Sequence, residues 1–175
     1  MEIRNQRPSD LEGMLAFFAA LPEDERTFLK EEVLDRATVE SWLHDSNSCR
    51  AVACDGDDVV GIVAVVPLVG WTNHVGEVRL VVALGHRRSG VGRQLARWAL
   101  VCALESGIKK LVVEVVAEQE GAVAMFERLG FRPEALLRDH IRARNGEMRD
   151  LILLAHPVAE QMEEMATIGI ESDLG

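Results

Sequence analysis

A chain of 175 residues, 48% hydrophobic and 27% charged, has the size and composition of one globular domain with its own core. Lys plus Arg number 19 against 29 Asp plus Glu, and the net charge of -10 repels a phosphate backbone, which excludes a dedicated nucleic-acid binder. No apolar run reaches the roughly 18 residues of a membrane span, so no membrane partner is expected. Met1-Glu2-Ile3-Arg4 lacks the apolar stretch of a secretory signal. Cys49, Cys54 and Cys102 are odd in number and lack metal-ligand spacing, so free thiols, a cytoplasmic location and no metal are expected. The chain contains no tyrosine.

Residues 2–7 read as a short strand. Pro8-Ser9-Asp10 starts a helix, with Ser9 as N-cap, Glu12 as capping-box partner, and Leu11, Met14, Leu15 and Phe18 at helical spacing. Residues 23–34 form a charged helical stretch carrying Phe28, Leu29 and Val33, and residues 38–44 a helix capped by Thr38. Strands 50–54 and 59–68 flank the turn Asp55-Gly56-Asp57-Asp58 as a hairpin, and 75–84 is a further strand. Residues 91–106 are an amphipathic helix, with Val91, Leu95, Trp98, Ala99, Cys102 and Ala103 on one stripe and Gly107 after its end. Residues 110–117 are a buried β-branched strand, 121–129 a shorter helix, and 131–142 and 147–156 two strands around Asn145-Gly146. One α/β (α+β) domain over 1–156 follows, a mixed sheet of about seven strands with helices on both faces. Residues 157–175 are an acidic tail whose Val158, Met162 and Met165 suit a docking helix.

The segment from Val81 to Arg93 joins a strand to a helix through Gly85-His86-Arg87-Arg88-Ser89-Gly90-Val91-Gly92. Gly90 and Gly92 remove Cβ atoms where backbone must approach a ligand, and the helix start offers unpaired N–H groups. Arg87, Arg88 and Arg93 add cationic forks, and the set suits a pyrophosphate. A P-loop fails because Arg93-Gln94 follows Gly92, and a dinucleotide fingerprint fails because Leu95 stands where a small residue is needed. Glycines serving only a tight turn remain the structural alternative.

Arg87-x-x-Gly90-x-Gly92 resembles the acyl-CoA signature of the GNAT superfamily of N-acetyltransferases, with Val82 ending a strand eight residues before Gly90. Residues 122–131, Ala-Val-Ala-Met-Phe-Glu-Arg-Leu-Gly-Phe, resemble a second block of that family. The resemblance covers residues 1–156 and implies a three-layer fold, a mostly antiparallel sheet whose two central parallel strands splay. It further implies acetyl-CoA as cosubstrate and transfer of its acetyl group to an amine. By position, backbone groups of Leu80, Val81 and Val82 would meet the pantetheine arm and thioester. Those from Arg88 through Ser89, Gly90, Val91 and Gly92 to Arg93 would hold the pyrophosphate.

A protonated amine must lose its proton before it attacks. Glu77, in an apolar strand five residues before Val82, is the first candidate base; the alternatives are a solvated edge glutamate or a partner for Arg79. Glu114 is the second candidate; its alternative is an ion pair with an arginine across the sheet. A water chain from either carboxylate would also serve. His74 reads as a surface histidine. Phe126 stands where the family often has a tyrosine that protonates the leaving thiolate, and reads as packing against the acyl-CoA chain or the core; water or Cys102 would have to help. Gln119 replaces an asparagine beside Ala122, and residues 83–86 lack the family's common proline.

Glu23, Asp24, Glu25, Glu31, Glu32 and Asp35 make the early region acidic, while Arg138, Arg142, Arg144 and Arg149 mark the last hairpin. Either these select a cationic acceptor with an anionic group, or they are two solvated charged faces. The acceptor is a small-molecule amine or a protein lysine or N-terminus. A non-catalytic acyl-CoA sensor is the alternative function, and a homodimer is open.

Overall fold

The β-branched runs become strands β1 (Glu2–Asn5), β2 (Cys49–Asp55), β3 (Asp58–Pro67), β4 (Val75–Val82), β5 (Lys110–Val116), β6 (Arg132–Arg142) and β7 (Met148–Pro157). These come from a computed structural model that describes residues 1–26 and 29–158. The helices are α1 (Leu11–Ala20), α2 (Glu23–Arg26), α3 (Arg36–Trp42), α4 (Val91–Glu105) and α5 (Glu120–Arg128). One sheet has the order β1-β2-β3-β4-β5-β7-β6, and only the central β4–β5 pair is parallel. That is the three-layer mixed sheet expected from the chain. Among the described residues, no helix is long and apolar enough to cross a membrane.

Two cores sit on the two faces. α4 lies on β2, β3 and β4, burying Val91, Leu95, Ala99 and Ala103 completely against Val63, Val65 and Leu111. Burying one such leucine stabilises the fold by about 1.5–3 kcal/mol. Gly61 of β3 permits the close approach, since a Cβ there would lie 2.9 Å from Leu95 Cδ1. On the other face Met14, Phe18, Val39 and Trp42 of α1 and α3 cover Val52 and Ile62.

Several local expectations are corrected. Ser9 does not cap α1. Pro8–Asp10 is a 3-10 turn, and the Asp10 carboxylate accepts the Arg7 N–H at 2.7 Å and the Arg4 guanidinium at 2.7 and 2.8 Å. A charge-assisted fork from the neighbouring strand outcompetes a hydroxyl. Glu12 pairs instead with Arg36 at 2.6 Å. The expected helix over 23–34 is helical only over Glu23–Arg26. Beyond it Val33 is buried and Lys30 and Glu31 are drawn into ion pairs with the sheet, tertiary partners that override propensity. Phe28 lies outside the described residues. Asp35, not Thr38, caps α3, accepting the Thr38 N–H at 3.0 Å.

The cysteine expectation is also corrected: Cys49 and Cys102 form a disulfide that ties β2 to α4, and only Cys54 is free. Their separation of 53 residues gives no local signal; α4 packing across β2 brings them together. Strand β7 runs to Pro157, and the Val158 N–H bonds the Lys109 carbonyl at 3.0 Å, so the fold extends past residue 156. Met162 and Met165 of the tail lie outside the described residues.

Candidate functional site

The sheet opens at its centre. The β4–β5 ladder pairs Val75–Val78 with Lys110–Val113 and ends there. Both strands continue, β4 still paired to β3 through Val82 and β5 still paired to β7 through Val116. A wedge therefore forms between them, and β4 residues beyond Val78 have main-chain groups without a partner on the β5 side. The wedge belongs to a cleft of about 1410 Å3 that Leu80, Val81 and Val82 line from β4.

At the wide end lies the glycine loop. Gly90 is the N-cap residue of α4 at φ +91°, a conformation that glycine adopts without a Cβ penalty. The first helical bond runs from Gln94 N–H to the Gly90 carbonyl at 3.0 Å, so the N–H groups of Val91, Gly92 and Arg93 have no acceptor within the helix. Gly92 faces the cleft, where a Cβ would meet Met125 Sδ at 3.2 Å and Val82 Cγ2 at 3.6 Å. Open amides and the positive helix end make this a place for an anion.

Arg88 and Arg93 line the cleft and, among the described residues, carry no ion pair. Arg87 also lines it but is tied: its Nε donates to the Val82 carbonyl at 3.1 Å, and its guanidinium forks onto Glu25 of α2, with Nη1 at 2.9 Å. The hydrogen bonds to Glu25 outweigh burial and raise the Arg87 pKa further. The side chains of Ser89 and Val91, of which only the main chain is expected to take part, stay out of the cleft. The Ser89 hydroxyl donates to the His86 carbonyl at 2.5 Å, and Val91 is fully buried in the core. Any part they play is through main chain.

At the narrow end stand the two carboxylates. Glu77 pairs in register with Val112, two residues before Glu114, so both side chains leave the same face. They meet on one cation, Lys30, whose Nζ lies 2.6 Å from Glu77 Oε1 and 2.8 Å from Glu114 Oε2. Glu77 Oε2 also accepts from Arg79 at 3.2 Å; Arg79 reaches Glu31 at 2.8 Å, and Glu31 accepts the Trp42 indole N–H at 3.1 Å. Burial opposes the Lys30 charge, but the bonds to Glu114 and Glu77 win and lift its pKa above the ordinary lysine value. Glu114 thus pairs with a lysine, not with the arginine expected as its structural alternative. Glu77 does pair with Arg79, but it is no solvated edge residue: it is buried, on a strand paired to β3 and β5 on its two sides.

Gln119 and Ala122 line the cleft at the start of α5. Gln119 occupies the N-cap position without a side-chain cap; its carbonyl accepts from Ala122 N–H at 2.9 Å and its own N–H bonds the Val116 carbonyl at 2.9 Å. Phe126 borders the cleft but is only 3% exposed, edge-on to Phe131 at 5.1 Å. Cys102 cannot act as a thiol acid while bonded to Cys49. His74 is exposed at the opposite end of β4 from the wedge opening. The acidic region and the last hairpin meet in one ion pair among the described residues, Glu23 with Arg144 at 2.6 Å, whereas Arg149 of the hairpin pairs with Glu118 at 3.2 Å and Glu147 at 2.5 Å.

The sequence reading missed Lys30 as the partner of both carboxylates. It is a lysine in an acidic run, far in sequence from either glutamate, and no spacing rule links them.

Among known proteins, the profile of the acetyltransferase (GNAT) family matches residues 15–131. N-acetyltransferase 8F1 of Mus musculus is 34% identical over 95 residues, covering 53% of this chain and 43% of its own. Streptothricin acetyltransferase of Streptomyces lavendulae is 37% identical over 87 residues, 50% of this chain and 45% of its own. The matches span less than half the length of these two relatives. A Salmonella typhimurium structure solved with its cofactor acetyl-CoA has a TM-score of 0.80 at 16% identity, covering 91% of this chain and 95% of that one, a likeness of fold.

Proposed function

The chain belongs to the acetyltransferase (GNAT) family, and from that premise we propose that it moves the acetyl group of acetyl-CoA to a primary amine by direct attack in a ternary complex. The observation that carries this reading is the opened β4–β5 seam, with unpaired helix amides at its wide end and two carboxylates at its apex. The residues fit the cosubstrate. The amides of Val91, Gly92 and Arg93 suit the pyrophosphate, with Arg88 and Arg93 adding charge. The main chain of Leu80, Val81 and Val82, freed from β5, suits the amides of a pantetheine arm. Gln119, Ala122 and Phe126 form the α5 wall beside that arm.

Bound acetyl-CoA supplies an activated acyl group on a thiolate leaving group. The protein's task is to place an amine and take its proton. Glu77 is the proposed base, close to the seam and already hydrogen-bonded to an ammonium. Glu114 holds the same ammonium from the other strand and is the second candidate. The acceptor is read as a cationic alkylamine, a small molecule or a protein lysine or N-terminus, because Lys30 shows that an ammonium fits between the carboxylates. The net charge of -10 argues for an acceptor that is not a nucleic acid. Location is tied to the Cys49–Cys102 pair, which a reducing cytoplasm opens and an oxidising compartment keeps.

The test is a panel of polyamines, amino acids, aminoglycosides and lysine peptides, with CoA thiol release as readout and melting temperature with acetyl-CoA as the binding control. A raised melting temperature with release for at least one amine is expected. Binding without release for any amine would leave an acyl-CoA sensor, and absence of binding would overturn the reading of the cleft.

A further inference from the structure

The Lys30 ammonium occupies the position that an acceptor amine needs. It lies 2.6 Å from Glu77 and 2.8 Å from Glu114, at the rung where the parallel seam opens. A purely structural ion pair explains this arrangement less well. Glu77 already has a permanent cation on its own strand, Arg79 at 3.2 Å, and does not need a second one to be neutralised. Lys30 also does not belong to the sheet. It comes from the irregular segment after α2, and its side chain is 42% exposed, so it can leave toward solvent. Three ion pairs hold α2 and that segment beside the cleft: Glu23 to Arg144 and Glu25 to Arg87 from α2, and Glu31 to Arg79 from the segment.

We propose that Lys30 is an internal acceptor: its ε-amine takes an acetyl group in cis, and the modified side chain then leaves the carboxylate pair open to an external amine. The inference rests on the acetyl-transfer reading above, with the acetyl thioester of CoA as co-reactant. The ammonium gives a proton to Glu77 or Glu114. The Nζ lone pair forms a bond to the thioester carbonyl carbon, the nitrogen gives its second proton to solvent, the C–S bond breaks with its electron pair, and CoA departs as a thiolate that takes up a proton from solvent. The product is a neutral amide that can no longer form an ion pair with either glutamate. The site then holds one positive charge less and attracts a cationic acceptor more strongly.

The chain supplies its own controls. It has three lysines, and the other two, Lys109 and Lys110, lie at the far end of β5, with Lys110 bonded to Glu134 at 2.7 and 2.9 Å. The experiment incubates the whole protein with isotope-labelled acetyl-CoA and follows each lysine by peptide mass spectrometry at several protein concentrations. Label at Lys30 is expected more than about tenfold faster than at Lys109 or Lys110, with a rate constant independent of protein concentration, because the amine is pre-positioned. Glu77→Gln is expected to slow it, and Lys30→Ala to lower KM for an external amine where Lys30→Arg raises it. Equal labelling of the three lysines, or a concentration-dependent rate, would overturn the proposal. An unlabelled Lys30 in a protein that turns over external amines would overturn it while leaving acetyl transfer standing. An unlabelled Lys30 with no turnover would overturn both. Should Glu77→Gln not fold, the wild-type labelling pattern alone decides.

Discussion

Replacing Glu77 by glutamine keeps the side chain's size and one acceptor oxygen but removes its charge and its basicity. Glu77 is 6% exposed and accepts from Lys30 at 2.6 Å and Arg79 at 3.2 Å. A hydrogen bond to a charged group contributes about 1.5–3 kcal/mol. The loss here falls at the lower end, because Lys30 keeps Glu114 and Arg79 keeps Glu31. A destabilisation of about 1.5 kcal/mol lowers the melting temperature by about 3–6 °C, which leaves the fold intact. The kinetic loss is larger. A positioned general base contributes about 10²–10⁴ in rate, or about 3–5 kcal/mol of barrier. The assay measures kcat by CoA thiol release, Kd for CoA by calorimetry, and the melting temperature. The expected outcome is a kcat lowered by at least about a hundredfold with Kd for CoA within about twofold, since no part of the helix-terminus cradle is touched. A kcat within about threefold of the wild type would refute Glu77 as base. A greater loss in Glu114→Gln would transfer the role across the seam.

Gly90→Ala meets only Gln94 Nε2, at 4.0 Å, so its cost is conformational: at φ +91° an L-residue loses about 1 kcal/mol, and a loop that relaxes misaligns the amide fan and weakens CoA binding by about tenfold. Unchanged affinity by calorimetry would contradict the cradle. Reducing the Cys49–Cys102 bond frees a 53-residue separation, worth about 4 kcal/mol in chain entropy and about 8–16 °C in melting temperature; equal melting curves with and without reductant would show the bond absent. The hydrogen bond from Arg4 outweighs burial and holds the Asp10 carboxyl below the ordinary carboxylate range. A depressed folded pKa contributes stability above the unfolded pKa and loses it as pH falls through the folded one. Asp10→Asn is therefore expected to cost about 1–3 kcal/mol at neutral pH, with the gap to wild type closing in strong acid; a gap constant with pH in urea titrations would refute it.

The strands were legible because their β-branched runs are long and bounded by turn residues such as Gly56 and Asn145-Gly146. The α4 stripe was legible for the same kind of reason, since Val91, Leu95, Ala99 and Cys102 recur at the helical period and are all buried. The cleft was legible through Gly90 and Gly92, because a missing Cβ is visible in sequence. What stayed hidden depends on partners distant in the chain. Ser9 carries a good local capping signal, yet Arg4 on β1 selects Asp10 instead. Residues 23–34 have helical composition, yet Lys30 and Glu31 turn toward Glu77, Glu114 and Arg79. Cys49 and Cys102 meet only once α4 lies across β2. In each case a long-range charge or bond outweighs propensities of less than about 1 kcal/mol per residue.

The absence of tyrosine shifts where the chemistry needs help. Phe126 is buried edge-on to Phe131 and offers no proton to a leaving thiolate. The two proton problems are unequal. A thiol of pKa about 8.5 lies about 1.5 units above neutral, so leaving as a thiolate costs about 2 kcal/mol without an acid. An alkyl ammonium of pKa about 10.4 lies about 3.4 units above neutral, so freeing its lone pair costs about 4.6 kcal/mol without a base. The larger cost falls on the amine, and there the chain places two carboxylates on facing strands, both within 2.8 Å of an ammonium. On the proposed mechanism such a site can dispense with a phenol but not with its glutamates, so substitutions at Glu77 and Glu114 are expected to lower kcat for acetyl transfer more than substitutions at the Phe126 wall.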